Sequence, residues 1–323
     1  MKKIKALAVV SAVALALSSC GANGDLKKVA IEVGNAKITA GSVAVMAETL
    51  MEYSGSDFET AVKNSAEQIK MSFEYSALAK AMKIELTEEE KAQAVSTRAQ
   101  YATNNGGYDA YSKYLEKNAS SVDFLDDLFT SSMYVSKVQE EIQKEFEDKD
   151  ASDDELKKFY DENFYRAKHI LINIDEDTDE KAAEAKAKEL LEKAKNGEDF
   201  DTLVKENSED PGSESNPDGY VFTDGQMVEE FENTVKSLKS GEFGICKSTY
   251  GYHVILRLDL PEFEDHKSTV SSSYESKRVE NRVEELLKEN NIESKMYDDV
   301  IDNIKEDMLS EAPKKEENTS VEY

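Results

Sequence analysis

The chain has 323 residues, of which 68 are Asp or Glu and 40 are Lys or Arg, giving a formal charge of −28 at pH 7. So acidic a chain repels phosphate backbones, which excludes nucleic acid as a partner. Two cysteines exclude a disulfide scaffold, and a charged fraction of 33% excludes a multi-span membrane protein. The length suits two ordinary domains.

At the N-terminus, Lys2, Lys3 and Lys5 precede an apolar run from Ala6 to Leu17, too short for a permanent membrane span. The run stops at Leu17-Ser18-Ser19-Cys20-Gly21, which resembles the bacterial lipobox. That resemblance implies a signal peptide over 1–19 and a diacylated Cys20. Acyl chains there would hold the protein on the outer face of the cell membrane. The plainer alternative is an ordinary secretory signal that contains a Cys. Residues 20–28 read as the lipidated Cys and a flexible tether. With Cys20 acylated, Cys246 has no disulfide partner, and it reads as an apolar side chain rather than a nucleophile.

Residues 29–38 alternate around Gly34-Asn35, a hairpin signal, and Thr39 or Ser42 caps the helix that follows. Ile69, Phe73, Leu78 and Met82 form one apolar stripe; Leu125, Leu128, Val135, Val138 and Ile142 form another. Thr87 with Glu90 makes a capping box. Residues 29–163 therefore read as a mostly helical domain, closed by a helix capped at Ser152. The texture then changes. Strands are expected over 166–174, 220–223, 243–247 and 252–258, with helices over 179–195, 199–207 and 228–238. Residues 208–219 are a long loop with Pro211 and Pro217. The order β-α-α-β-α-β-β predicts an antiparallel α+β unit over 164–260. A further helix is expected within 261–310, with Val279, Val283, Leu286, Leu287 and Ile292 as its stripe. Residues 311–323 read as a disordered tail.

Four fragments in this α/β stretch resemble the parvulin-type peptidyl-prolyl isomerases. They are Arg166 to Ile172 (RAKHILI), Asn196 to Phe200 with Ser208-Glu209-Asp210, Phe222 to Phe231, and Gly241 to Leu256 containing Gly251-Tyr252-His253. The flanking segments and the lipobox resemble, less specifically, the exported foldases PrsA and SurA. The resemblance implies a parvulin-like unit, an antiparallel four-stranded sheet with surrounding helices, inserted in or attached to an all-α chaperone domain. It also implies candidate catalytic residues His169, Asp210 and His253, with the histidines hydrogen-bonded to each other and to neighbouring hydroxyls. Met227, Phe231, Phe222 and Tyr220 are the implied substrate-binding residues. Read without the family, Met227 and Phe231 are a core pair four apart on one helix, the histidines are core residues, and Asp210 before Pro211 is a turn residue.

The implied reaction rotates an X-Pro bond over a barrier of about 18–20 kcal/mol, so no metal or cofactor is needed. A thousandfold acceleration requires about 4 kcal/mol of preferential transition-state binding. Two departures from the family stand out. Its Gly-Asp-Leu-Gly is here Pro217-Asp218-Gly219-Tyr220, so the pocket-lining Leu aligns with Gly219, or with Tyr220 after a shift of one. The basic cluster of phosphate-directed parvulins is replaced by an acidic run over 175–180, which repels phosphorylated substrates. The leading expectation is a membrane-anchored extracytoplasmic foldase. Its partners are unfolded exported proteins with X-Pro bonds, and a homodimer is compatible with the sequence. The rivals are a holdase with an inactive parvulin unit and a ligand-binding surface lipoprotein.

Overall fold

The computed structural model describes residues 24–147, 149–174 and 179–313. The stretch expected to be a signal peptide, Cys20 and the residues after 313 lie outside these, as do residues 175–178 of the acidic run. The chain divides into two units, one comprising residues up to 148 together with 278 onward, the other residues 149–277.

The first unit opens with strands β1 (Val29–Val33) and β2 (Ala36–Thr39), paired antiparallel across a turn in which Gly34 takes a φ of 56°. The expected tether does not extend through residue 28. Leu26 is buried at 1% exposure, and its carbonyl accepts the Gly41 N–H at 2.9 Å. Helix α1 (Ala40–Ser54) is capped by Thr39, whose Oγ1 accepts the Ser42 N–H at 3.1 Å and donates to the Ala119 carbonyl at 2.6 Å. The cap thus docks the helix start onto another loop while satisfying one of its orphan donors. The backbones come so close that a Cβ on Gly41 would lie 1.6 Å from the Asn118 oxygen. Four helices follow, namely α2 (Phe58–Met82), α3 (Glu88–Asn104), α4 (Tyr108–Lys117) and α5 (Val122–Lys144). Both bonds of the Thr87–Glu90 capping box are present. Ile69, Leu78, Leu125, Val138 and Ile142 are buried, whereas Phe73, Met82 and Val135 lie at the margin of the core.

The second unit begins with α6 (Asp153–Asn163), opened by a Ser152–Glu155 capping box. It continues through β3 (Phe164–Asn173), α7 (Glu180–Lys195), α8 (Phe200–Asn207), β4 (Tyr220–Thr223), α9 (Glu229–Ser237), β5 (Phe243–Lys247) and β6 (Gly251–Leu258). The strands form one antiparallel sheet in the order β4-β3-β6-β5. Period-two alternation divides its faces. Ile170, Ile172 and Val254 pack on Ala187, Leu190, Phe200 and Leu203 of α7 and α8. On the opposite face, Ala167 and Ile255 pack with Phe222, Phe231 and Val235. Each buried Ile, Val, Leu or Phe among them contributes about 1.5–3 kcal/mol of transfer free energy.

Helix α10 (Phe263–Glu289) places Phe263 and Val270 against Leu156 and Tyr160, and then Val279, Val283 and Leu286 against Leu78, Val138 and Ile142. After it come β7 (Ser294–Met296), the short α11 (Asp298–Ile301) and a 3-10 turn at Glu306–Met308. The sequence did not announce β7, which pairs antiparallel with β1, Ile31 facing Met296, and makes the hairpin a three-stranded sheet. The mostly helical domain with a hairpin lead-in therefore carries one strand more than expected, because β1 had an open edge to fill.

Candidate active site

His169 and His253 share the sheet face that carries Phe231. Register explains their meeting: His169 lies opposite Ile255 and His253 opposite Leu171, so the two imidazoles are diagonal neighbours on adjacent strands. Their rings meet edge to face, with centroids 5.2 Å apart and planes at 90°. Phe231 closes the triangle, at 5.1 Å from His169 and 5.6 Å from His253. Phe222 lies under Phe231 at 5.8 Å. Phe222 and Phe231 are 1% and 2% exposed, so they form the floor of the cluster.

Asp210 reaches this face through a substitution of strand by loop. β4 pairs with β3 only as far as Ala167. Beyond it, the loop takes over the vacated edge: Leu171 donates its N–H to Ser208 Oγ at 3.2 Å, and Glu209 donates its N–H to the Leu171 carbonyl at 2.9 Å. Asp210 is thereby held beside His169. Its carboxylate accepts the Gly212 N–H at 3.0 Å, the Ser213 hydroxyl at 3.1 Å and the Tyr220 hydroxyl at 2.6 Å. Tyr220 also lies flat on His169, with centroids 5.6 Å apart and planes 13° from parallel. Gly219 decides which residue faces the imidazole. Its φ is 88°, and a Cβ there would stand 2.7 Å from the Ala167 carbonyl. No side chain fits, so the position that aligned ambiguously with a pocket Leu is filled by Tyr220.

Met227 departs from the expected placement. It lies in the turn before α9, whose first residue is Glu229, so it does not share a helix face with Phe231. Val228 has no side-chain acceptor for the cap position. Glu232 supplies one instead, accepting the Met227 N–H at 2.9 Å and thereby anchoring the turn. Met227 is half-buried against the Phe231 cluster with Tyr220. Glu232 and Ser248 were both missed by sequence reasoning. The Glu four residues into a turn-helix junction was a readable signal for the first; a lone Ser before a Tyr-Gly turn offered none for the second.

Ser248 Oγ accepts the Tyr250 N–H at 3.1 Å and lies 2.8 Å from His253 Nε2. The hydroxyl hydrogen is then free to donate to Nε2, which favours the neutral Nδ1–H tautomer of His253. The imidazoles do not bond to each other: neither Nδ1 has a hydrogen-bond partner among the described residues. His169 Nε2 lies 3.2 Å from Asp210 Oδ2 but misses hydrogen-bond geometry. Burial lowers the pKa of His253 to about 4, with His169 adding to the effect. Burial also lowers that of His169, opposed by the Asp210 carboxylate. For Asp210 burial acts upward, yet the Tyr220 hydroxyl, the Gly212 N–H, the imidazole and Ser213 together bring its pKa below the usual carboxylate value. At neutral pH the site is a carboxylate beside two uncharged rings on an aromatic floor. It holds no strong base. It is built to orient a group, with Asp210 and Tyr220 as the polar rim.

Cys246, opposite His253 in the register, is partly buried, and burial pushes its thiol up to about 11. Nucleophilic chemistry at neutral pH is therefore disfavoured there.

Residues 155–259 match the family of the PPIC-type PPIase domain. The chain carries a PPIC-type PPIase domain. The parvulin resemblance read from the four fragments falls on that stretch. Among relatives, Foldase protein PrsA of Geobacillus kaustophilus is 39% identical over 173 residues, which are 48% of this chain and 57% of that protein. Foldase protein PrsA of Oceanobacillus iheyensis is 33% identical over 199 residues, covering 59% of this chain and 63% of that protein. The chain spans about half the length of the curated relatives it matches. A crystal structure of PrsA from Streptococcus pneumoniae covers 83% of this chain and 95% of its own at 20% identity, with a TM-score of 0.35. A likeness that slight carries no argument about function. The site described above lies wholly within the PPIase domain.

Proposed function

We propose that the protein is an extracytoplasmic foldase. Its PPIase domain catalyses cis/trans isomerisation of X-Pro bonds in exported proteins, and its other unit holds unfolded chains. A lipid at Cys20 anchors it to the outer face of the cell membrane. One observation carries the enzymatic reading: two uncharged, perpendicular imidazoles, a carboxylate and a half-exposed Met227 converge on one sheet face around Phe231. In this reading His169, Asp210 and His253 are the catalytic residues. The apolar group of Met227, Phe231 and Phe222 grips the pyrrolidine ring, while Tyr220 and Asp210 face the rotating carbonyl. Stabilising the twisted amide by about 4 kcal/mol more than the planar isomers gives a thousandfold rate. No bond is made or broken, which suits a site with no strong base. The names of the relatives support the foldase role. No helix among the described residues is long and apolar enough to cross a membrane; the anchor is proposed from the Leu17-Ser18-Ser19-Cys20 motif.

The test is isomerase activity on short X-Pro peptides, phosphorylated and unphosphorylated. Unphosphorylated peptides should turn over, and phosphorylation should give no gain. Met227→Ala should lower kcat/KM about tenfold, as expected for losing roughly 1–2 kcal/mol of apolar contact, with the fold intact. A wild-type rate equal to the uncatalysed one would favour a second reading, a holdase with a silent PPIase domain. The observation behind that reading is Tyr220, stacked on His169 and bonded to Asp210 where the family pattern has Leu. Mass spectrometry of the mature N-terminus tests acylation.

A further inference from the structure

The second unit has another concavity, a cleft of about 480 Å³ at the Leu258–Leu260 end of β6. Its walls include Tyr165, Leu238 and Leu260, and three cations, Arg166, Lys239 and Arg257, line it in a chain that is otherwise strongly acidic. Arg257 is built in: it donates to the Val235 and Leu238 carbonyls at 2.9 and 2.8 Å, and its guanidinium sits 5.1 Å from the centre of the Tyr165 ring. Arg166 is tied to the Asp218 carbonyl at 2.8 Å. Lys239 is exposed. Two carboxylates share the cleft; Asp161 already has Lys157 at 3.3 Å, and Asp259 is the other. Positive charge is therefore in local excess beside an apolar wall.

The cleft is aligned with the imidazole site. Tyr165 and His169 lie on the same face of β3, four residues apart, which is about 13 Å along a strand at ~3.3 Å per residue. Between them run Phe222, 5.9 Å from Tyr165, and Phe231. An extended peptide with its proline at the histidines spans the same distance in about four residues.

We infer that this cleft is a second subsite of the PPIase domain, binding an acidic side chain of the same client about four residues from the proline. Lys239 and Arg166 meet the carboxylate, and Tyr165 and Leu238 take the stem. The inference rests on the proline-site reading above, so binding and turnover are measured separately.

Fluorescence anisotropy on the full chain would compare labelled X-Pro peptides carrying Glu, Gln or Lys four residues before or after the proline. Exposed ion pairs contribute about 0.2–1 kcal/mol, so Glu should bind about 1.4- to fivefold tighter than Gln in one of the two registers. Lys239→Glu, an exposed substitution, should remove that preference and transfer it to the Lys peptide. It should leave turnover of a short X-Pro peptide that cannot reach the cleft unchanged. Equal binding of Glu and Gln peptides to the wild type overturns the subsite, as does equal weakening of both by Lys239→Glu. If the Glu preference holds but the short peptide is not turned over, the cleft stands and the isomerase reading fails.

Discussion

At the position of His253, burial sets a pH response whose sign can be worked out. Its folded pKa of about 4 lies below the unfolded value of ~6.5. Between those limits the unfolded chain binds a proton that the folded chain refuses, so stability rises with pH there. The contribution is complete above ~6.5, is lost as pH falls toward 4, and is on the order of 3 kcal/mol. His169 is shifted in the same direction and adds to the loss. Urea midpoints measured from pH 7.5 to 4 should fall, and His253→Leu should flatten the slope. An equally steep decline in that variant would remove His253 as the cause. The individual residues were legible to different degrees. The histidines and Asp210 were found through motif fragments, since their chemistry needs no particular local periodicity. Tyr220 was named as well, but its place against His169 stayed ambiguous by one residue at Gly219, which could be resolved only by knowing that the Ala167 carbonyl occupies the space of a side chain.

Elements follow from caps and periodicity where those signals are local. Thr87–Glu90, Ser152–Glu155 and Asp179 each mark a helix start to the residue, because the capping bond is made within one turn. Met227 escaped this logic: Glu232 reaches back five residues, so the helix starts later than the apolar spacing implied. β7 was invisible because a three-residue strand has no periodicity, and its only reason to exist is the edge of β1. The junction between the long loop and β4 offers a test at this scale. Gly219→Ala places a Cβ against a backbone carbonyl, at a φ that L residues avoid. It should cost about 1–3 kcal/mol, seen as a lower melting temperature of the PPIase domain. Isomerase activity should fall with it, since Tyr220 follows directly. An unchanged melting temperature would show that the loop relaxes freely.

The charge of the entire chain sets a balance that no local motif reveals. Many Lys–Glu pairs three or four apart decorate its helices, among them Lys63–Glu59 and Lys193–Glu189. Salt weakens such pairs, but each exposed one contributes only about 0–1 kcal/mol. The formal charge of −28 also generates repulsion that salt relieves. Raising ionic strength from about 0.01 to about 0.15 M shortens the Debye length from about 30 to about 8 Å. Repulsion should dominate, so melting temperature should rise with salt in calorimetry. A fall would mean that the ion pairs prevail.

The pairing of β7 with β1 also sets a timetable. Tyr297 and Glu32, hydrogen-bonded at 3.0 Å, are 265 positions apart, whereas every strand of the four-stranded sheet lies between residues 164 and 258. Closing so wide a loop is slow relative to pairing neighbours. As the polypeptide is synthesised, the PPIase domain has all its strands while the opening hairpin still waits for its third. The unit proposed to hold unfolded chains is therefore the last part of the molecule to mature, and its unpaired hairpin edge is exposed to aggregation during that interval.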